Sequence, residues 1–324
     1  MPNPQKCRKT GIFEEPTLPP ERPSVKRPDI PHGRSPGPAR GGITTADNRR
    51  GSWQAAAVRP SFAAMTSDSG PAGIPAATII IFRNAPAGGA PEVLMTVRSR
   101  EMTFAGGMAV FPGGRVDPAD FALAEALAAE HGLAHDEAAH QIAAVRETLE
   151  ETGLALGLAG DISAASAGAA RQMLGQTGAL APVLAAFGWR LDLAQITPFA
   201  RWFPKNENIA RVYDTRFYLA NLGTGAVEVS IDQSENTHLF WTSAQGALEA
   251  ADRGEIKVIF PTRRNLERLA LFASYEEARA QAEAIPVKTI TPRVIEEGGQ
   301  PWLTILGDAG YPVTAELLET VARG

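Results

Sequence analysis

The sequence predicts an α/β fold in which a mixed β-sheet is sandwiched between helices. Three observations point there. Residues 76–83 and 92–98 are strand-length runs of β-branched and apolar residues. Residues 212–219, Val-Tyr-Asp-Thr-Arg-Phe-Tyr-Leu, form an aromatic strand of the same kind far along the chain. Between them lie segments with helical spacing of apolar residues, and that alternation packs helices on a sheet.

Taken in order, residues 1–70 are rich in Pro, Arg, Gly and Ser and carry neither period. Such a segment cannot bury enough apolar surface to order itself, so disorder is expected. Met65 precedes the first ordered-looking stretch, and translation from there would make the earlier residues an over-extended start. Residues 71–324 are expected to form one domain. A Pro/Gly loop, 84–91, joins 76–83 to 92–98 as a hairpin. Residues 104–111 are expected to approach Pro112-Gly113-Gly114 as a further strand. Residues 121–130 are strong helix formers, and His131-Gly132 breaks that helix from the next.

That next helix carries Ala138, Ile142, Val145 and Leu149 on one face and Glu147, Glu150 and Glu151 on the other. Gly153 is its C-terminal stop. Residues 155–193 are Ala- and Gly-rich and read as two or three short helices, so helical insertions are expected at about 121–140 and 158–195. Residues 196–204 return to the sheet. A turn at 232–238 leads to a strand at 239–241 and a short helix at 243–251. Residues 261–279 read as mostly helical, with Leu266, Leu269 and Phe272 on one stripe. Residues 287–290 and 302–306 read as a closing strand pair.

The chain has 324 residues and a net charge of -5, which does not point to nucleic acid or anionic membranes as partners. The single Cys7 excludes an internal disulfide framework and a cysteine zinc site within one chain. No apolar run approaches the roughly 18 residues of a membrane span. The expected setting is the cytoplasm, with no membrane partner.

Carboxylates at a spacing of three and four repel by a few tenths of a kcal/mol per pair. A divalent cation removes that penalty, because hard cations take several oxygen ligands at short range. Ahead of the helix, Phe111-Pro112-Gly113-Gly114 lets the backbone turn tightly and bring carbonyl and amide groups close by. Arg98, Arg201 and Lys205 are candidates to bind distal phosphates. His131, His135 and His140 lie without a supporting acid pattern and read as solvated.

Gly114 together with Arg146-Glu147-Thr148-Leu149-Glu150-Glu151-Thr152-Gly153-Leu154 resembles the Nudix box, Gly-x5-Glu-x7-Arg-Glu-aliphatic-x-Glu-Glu-x-Gly-aliphatic. Asp120 stands where the family has Glu, Thr148 where it has an aliphatic residue, and 25 residues separate Asp120 from Arg146 instead of seven. The resemblance implies a Nudix fold and metal-assisted hydrolysis of a diphosphate. Mg2+ or Mn2+ would be held by Glu147, Glu150, Glu151 and the carbonyl of Gly113, with Gly113 and Gly114 also against substrate. Arg146 would orient a glutamate. Glu235, in the loop before a later strand, would be the base, with Glu207 the alternate.

Residues 94–99, and the run through Gly107 to Asp120, resemble the extended signature of the coenzyme A diphosphatase branch, peroxisomal enzymes and bacterial relatives. Thr103, Ala105 and Met108 depart from it. The implied substrate is a small-molecule nucleoside diphosphate, coenzyme A or acyl-coenzyme A. ADP-ribose or a nucleotide sugar is the alternative substrate. A Nudix-shaped module that senses such a ligand without cleaving it is the alternative role. Retention of all three helix glutamates favours the enzyme. Dimerisation is common in the family, so a homodimer is an expectation here too.

Overall fold

A computed structural model of the chain describes residues 73–99, 105–205, 211–223 and 236–321. The expectations for residues 1–70, Thr103, Glu207 and Glu235 lie outside these. All described residues belong to one unit. The first half of the described chain runs β1 (Ile74–Arg83), β2 (Glu92–Arg98), β3 (Ala109–Val110), β4 (Gly113–Arg115), α1 (Pro118–Ala126), α2 (Ala128–His131), α3 (His135–Thr152), β5 (Leu158–Ala159), α4 (Ala164–Thr177), α5 (Leu180–Phe187) and β6 (Arg190–Leu191). The second half runs β7 (Thr197–Trp202), β8 (Tyr213–Asn221), β9 (Asn236–Ser243), α6 (Ala244–Asp252), α7 (Phe260–Leu269), α8 (Tyr275–Ala284), β10 (Thr289–Ile290), β11 (Arg293–Glu297), β12 (Gln300–Thr304), β13 (Ala315–Leu317) and α9 (Leu318–Val321).

β1 is the middle of the mixed sheet. It runs parallel to β8 from Ile74 opposite Tyr213 to Phe82 opposite Asn221. Its other edge is shared. The first half pairs with β4, Ala76 opposite Arg115 and Thr78 opposite Gly113, and the far end pairs with β2, Phe82 opposite Val93. The sheet therefore splits between β4 and β2, bridged by the Ile79 amide donating to the Pro112 carbonyl at 2.9 Å. β2 extends to β3 and β9, and β8 to β7 and β10.

Ile79, Ile80 and Ile81 are fully buried and Phe82 nearly so, as expected of a strand covered on both faces. Alternation splits them between two cores. Ala77, Ile79 and Ile81 pack with α3, α4 and α5. Ile80 and Phe82 pack with α6, α7 and α8. On α3, Ala138, Ile142, Val145 and Leu149 are completely buried, as their spacing predicts. Gly153 closes the helix at φ 76°, its amide donating to the Leu149 carbonyl.

Three expectations are corrected. Residues 287–290 and 302–306 do not pair with each other: β10 lies parallel to β7, while β12 pairs with β11 and β13. Gly298 and Gly299, both at positive φ, close β11 onto β12 as a two-residue hairpin, and that short loop wins over the longer one. The helical stretch at 261–279 is two helices, because Ser274 caps α8 by accepting from the Glu277 amide at 3.2 Å. Of the strand expected at 104–111, β3 keeps Ala109 and Val110, and residues 105–107 form a turn with Ala105 at φ 52°.

His140 is also corrected: it is 3% exposed, not solvated. α1 packs across α3 and brings Phe121 edge-on to the imidazole, 6.5 Å between ring centres. The His140 Nδ1–H donates to the Asp136 carbonyl at 2.6 Å. Burial lowers its pKa below the usual 6.5, with Arg216 adding and the Asp136 hydrogen bond opposing. In the unfolded chain the imidazole protonates first, so its contribution to stability is present above 6.5 and declines as pH falls below it. A His140→Gln variant is expected to lose less stability than the wild type between about pH 7.5 and about pH 5.5. Urea unfolding at both values reads the difference, and equal losses would contradict it.

Candidate active site

The acidic face of α3 meets β4. Gly113 sits at φ 154°, and a Cβ there would overlap the Ala77 carbonyl oxygen of the neighbouring strand. A Cβ on Gly114 would overlap the Glu147 carboxylate. The first glycine thus serves the backbone, and the second leaves room for a side chain arriving from the helix. The Gly113 amide donates to Glu151 Oε2 at 2.9 Å.

These carboxylates are only partly open to water. Glu151 is 3% exposed and the Glu147 side chain 14%, while Glu150 retains 37%. β4 lies over them, so the face opens into a cleft. Burial pushes the Glu147 carboxyl up to about 8, against the pull of the Arg146 guanidinium and with Glu151 and Glu150 adding to the rise.

Arg146 holds this end together. It is 3% exposed. Its Nε donates to Asp120 Oδ1 at 3.1 Å and its Nη2 to Asp120 Oδ2 at 3.0 Å and to the Arg115 carbonyl at 2.8 Å. Its Nη1 donates to Glu147 Oε1 at 2.9 Å. Burial works against the charge, but Glu147, Asp120 and Asp117 outweigh that and raise the guanidinium pKa. Asp120 was noted in the sequence only as a departure from a pattern. It is 1% exposed and, besides anchoring Arg146, accepts from the Asp117 amide at 2.9 Å at the start of α1. The 25 residues between Asp120 and Arg146 fold as α1, α2 and the first turns of α3, and this hairpin of helices brings the two together.

The cleft has a volume of about 520 Å³, within the range of ligand pockets. Glu147, Glu150, Glu151, Arg146, Gly113 and Gly114 line one side. Trp202, Tyr213 and Phe217 from β7 and β8, with Pro261 and Thr262 at the start of α7, line the other. These aromatic residues carried strand signals in the sequence and no site signal. Arg98 lies in the wall, and its Nε is buried with no acceptor among the described residues. Arg211, not singled out from the sequence, also lines the cleft. Arg201 is placed elsewhere. It is not among the cleft residues, and its Nε donates to Asp214 Oδ1 at 2.8 Å across the β7–β8 pair. Lys205 is exposed, its Nζ 5.3 Å from the Phe203 ring centre.

Three carboxylates and a backbone carbonyl are the donor chemistry of a hard divalent cation. Burial is the main cause of the raised Glu147 pKa, with Glu151 and Glu150 adding to it, and a bound cation would favour its charged form. Among the described residues no three acidic, His or Cys side chains already converge on one ion position. Glu147 and Glu151 instead lean on Arg146 and the Gly113 amide. The donor set fits the chemistry of such an ion.

Residues 74–207 match the family model described as NUDIX domain. A NUDIX hydrolase from Alicyclobacillus acidocaldarius is similar in structure, with 29% identity and a TM-score of 0.56 over 67% of this chain and 97% of its own. The NUDIX domain of Shewanella oneidensis NrtR, complexed with ADP ribose, is 13% identical with a TM-score of 0.34, covering 61% of this chain and 86% of that one. A C. elegans Ap4A hydrolase is 18% identical with a TM-score of 0.30, covering 56% and 88%. The last two are too remote in shape to support an argument about this chain. No curated protein matches. No described helix is long and apolar enough to cross a membrane.

Removing one partner of a buried ion pair strands the other charge, at a cost of about 3 kcal/mol or more. Asp120→Asn is expected to destabilise the protein by about that amount in urea unfolding. A loss below about 1 kcal/mol would show that Arg115 and Glu147 suffice to hold Arg146.

Proposed function

We infer that this chain, whose residues 74–207 match the NUDIX domain model, is a hydrolase of pyrophosphate bonds in nucleoside diphosphate derivatives, dependent on a divalent metal ion. One observation carries the reading. The acidic face of α3 enters, through the gap left by Gly114, a cleft whose opposite wall is aromatic. That pairing suits a ligand with a charged diphosphate at one end and a flat or apolar group at the other.

Glu147, Glu150, Glu151 and the Gly113 carbonyl are the residues that would hold Mg2+ or Mn2+. When bound, such an ion neutralises charge that develops on the phosphate oxygens as a P–O bond breaks. The chain's own residues do the rest. Arg146 fixes the Glu147 rotamer, and the Gly113 amide fixes Glu151. Arg98 and Arg211 supply positive charge in the cleft wall for phosphate oxygens. Of the aromatic residues at the cleft, the half-buried Tyr213 would offer ring surface to the far end of the substrate, with the buried Trp202 and Phe217 packed behind. The water that attacks phosphorus must lose a proton, and Glu235 is the proposed acceptor.

Within this class, coenzyme A or acyl-coenzyme A is the proposed substrate, on the resemblance of residues 94–120. ADP-ribose and NADH are the competing arms of one assay with Mg2+ or Mn2+. Glu151→Gln is expected to lower kcat by about 100-fold or more, read by product release at saturating metal. No turnover of any diphosphate by the wild type would overturn the enzyme reading, and binding without turnover would select the sensing module. Preferred cleavage of ADP-ribose would replace the proposed substrate and leave the enzyme class standing.

A further inference from the structure

The C-terminal end of a helix carries partial negative charge, and acidic side chains there are unfavourable. α3 breaks this rule. Glu147, Glu150 and Glu151 crowd its last two turns, and the final turn has no basic residue of its own. The missing cation comes from α4. Arg171 Nε donates to the Glu150 carbonyl at 2.7 Å, and its Nη2 donates to the Glu151 carbonyl at 3.1 Å. These are two of the carbonyls that the end of an α-helix leaves without an intrahelical partner. The planar guanidinium fork reaches both at once.

Arg171 is itself fixed. On either side of it Ala170 and Leu174 are completely buried, and they form the stripe by which α4 packs into the core shared with α3. α4 ends at Gly178, at φ 62°, and Gly178 lines the cleft. The 158–195 segment, to which the sequence assigned no role, thus supplies one residue of the cleft lining and a grip on the helix that carries its acids.

We propose that Arg171 is a positioning residue for the cation site: by binding the backbone carbonyls of Glu150 and Glu151, it sets the direction in which their carboxylates leave the helix. The proposal rests on the reading of that face as the metal site. Its sign separates it from simple charge compensation. A nearby positive charge repels a cation, so if Arg171 acted only through its charge, removing it would tighten metal binding. If it acts by position, removing it loosens metal binding, and outer partners of this kind are worth about 10- to 100-fold in affinity.

The test is Mn2+ titration of the substrate-free full chain, read by electron paramagnetic resonance. Arg171→Met is expected to weaken Mn2+ binding about tenfold or more. Arg171→Lys keeps the charge but loses the fork, and is expected to weaken it several-fold. That second variant decides the matter if the first does not fold. Leu269→Ala, in the opposite core, controls for general loosening and is expected to bind Mn2+ like the wild type. Wild-type or tighter Mn2+ binding in the Arg171 variants would overturn the proposal, as would equal weakening in Leu269→Ala. A wild type that binds no Mn2+ would instead remove the metal-site reading beneath it.

Discussion

Three carboxylates of one sign at the negative end of one helix are the constraint on which this architecture depends. Glu147, Glu150 and Glu151 repel one another and the helix end that carries them. The surroundings hold them there. Arg146 ties Glu147 to the buried Asp120, the Gly113 amide binds Glu151, and Arg171 binds the carbonyls behind Glu150 and Glu151. The residual imbalance is visible in Glu147, which burial and its acidic neighbours push up to about 8. Three carboxylates partly shielded from water are the donor chemistry that a hard cation takes.

The sheet makes room for this charge. Because β4 and β2 share one edge of β1, the sheet parts near Gly113 and Gly114. Helix α3 packs on one face of β1, whereas the cleft is lined from the other by Ala76, Thr78, Thr215 and Phe217. A continuous sheet would separate the acids from the aromatic wall. A split edge with a missing side chain at 114 joins them. The hydrolase reading follows from that join, since diphosphate chemistry needs the acids and recognition needs the wall.

Much of this was legible in the chain. Strand β1 declared itself because burial on both faces demands an unbroken apolar run. Helix α3 declared itself because Ala138, Ile142, Val145 and Leu149 keep one face. Gly114 and the three glutamates stood out because their chemistry tolerates few substitutes. His140 misled because exposure is set by what packs against a residue, and α1 does so from a segment that reads only as helix-forming. The β11–β12 hairpin was missed because its signal, Gly298-Gly299, is two residues long. Arg201 carries the same charge as Arg98, but its guanidinium is taken up by Asp214 on the neighbouring strand.

The sequence by itself determined the periodicities, the glycine turn and the acidic helix end, and with them the fold class and the kind of chemistry. These are local properties, written in residue types a few positions apart. Only the tertiary structure decided which charges are buried, which arginine faces the cleft, and that Asp120 and Arg171 brace α3. Asp120 lies 26 residues before Arg146, and Arg171 lies 21 and 20 residues beyond Glu150 and Glu151. Contacts at that separation depend on how α1 and α4 pack against α3, and no short pattern in the chain encodes that packing.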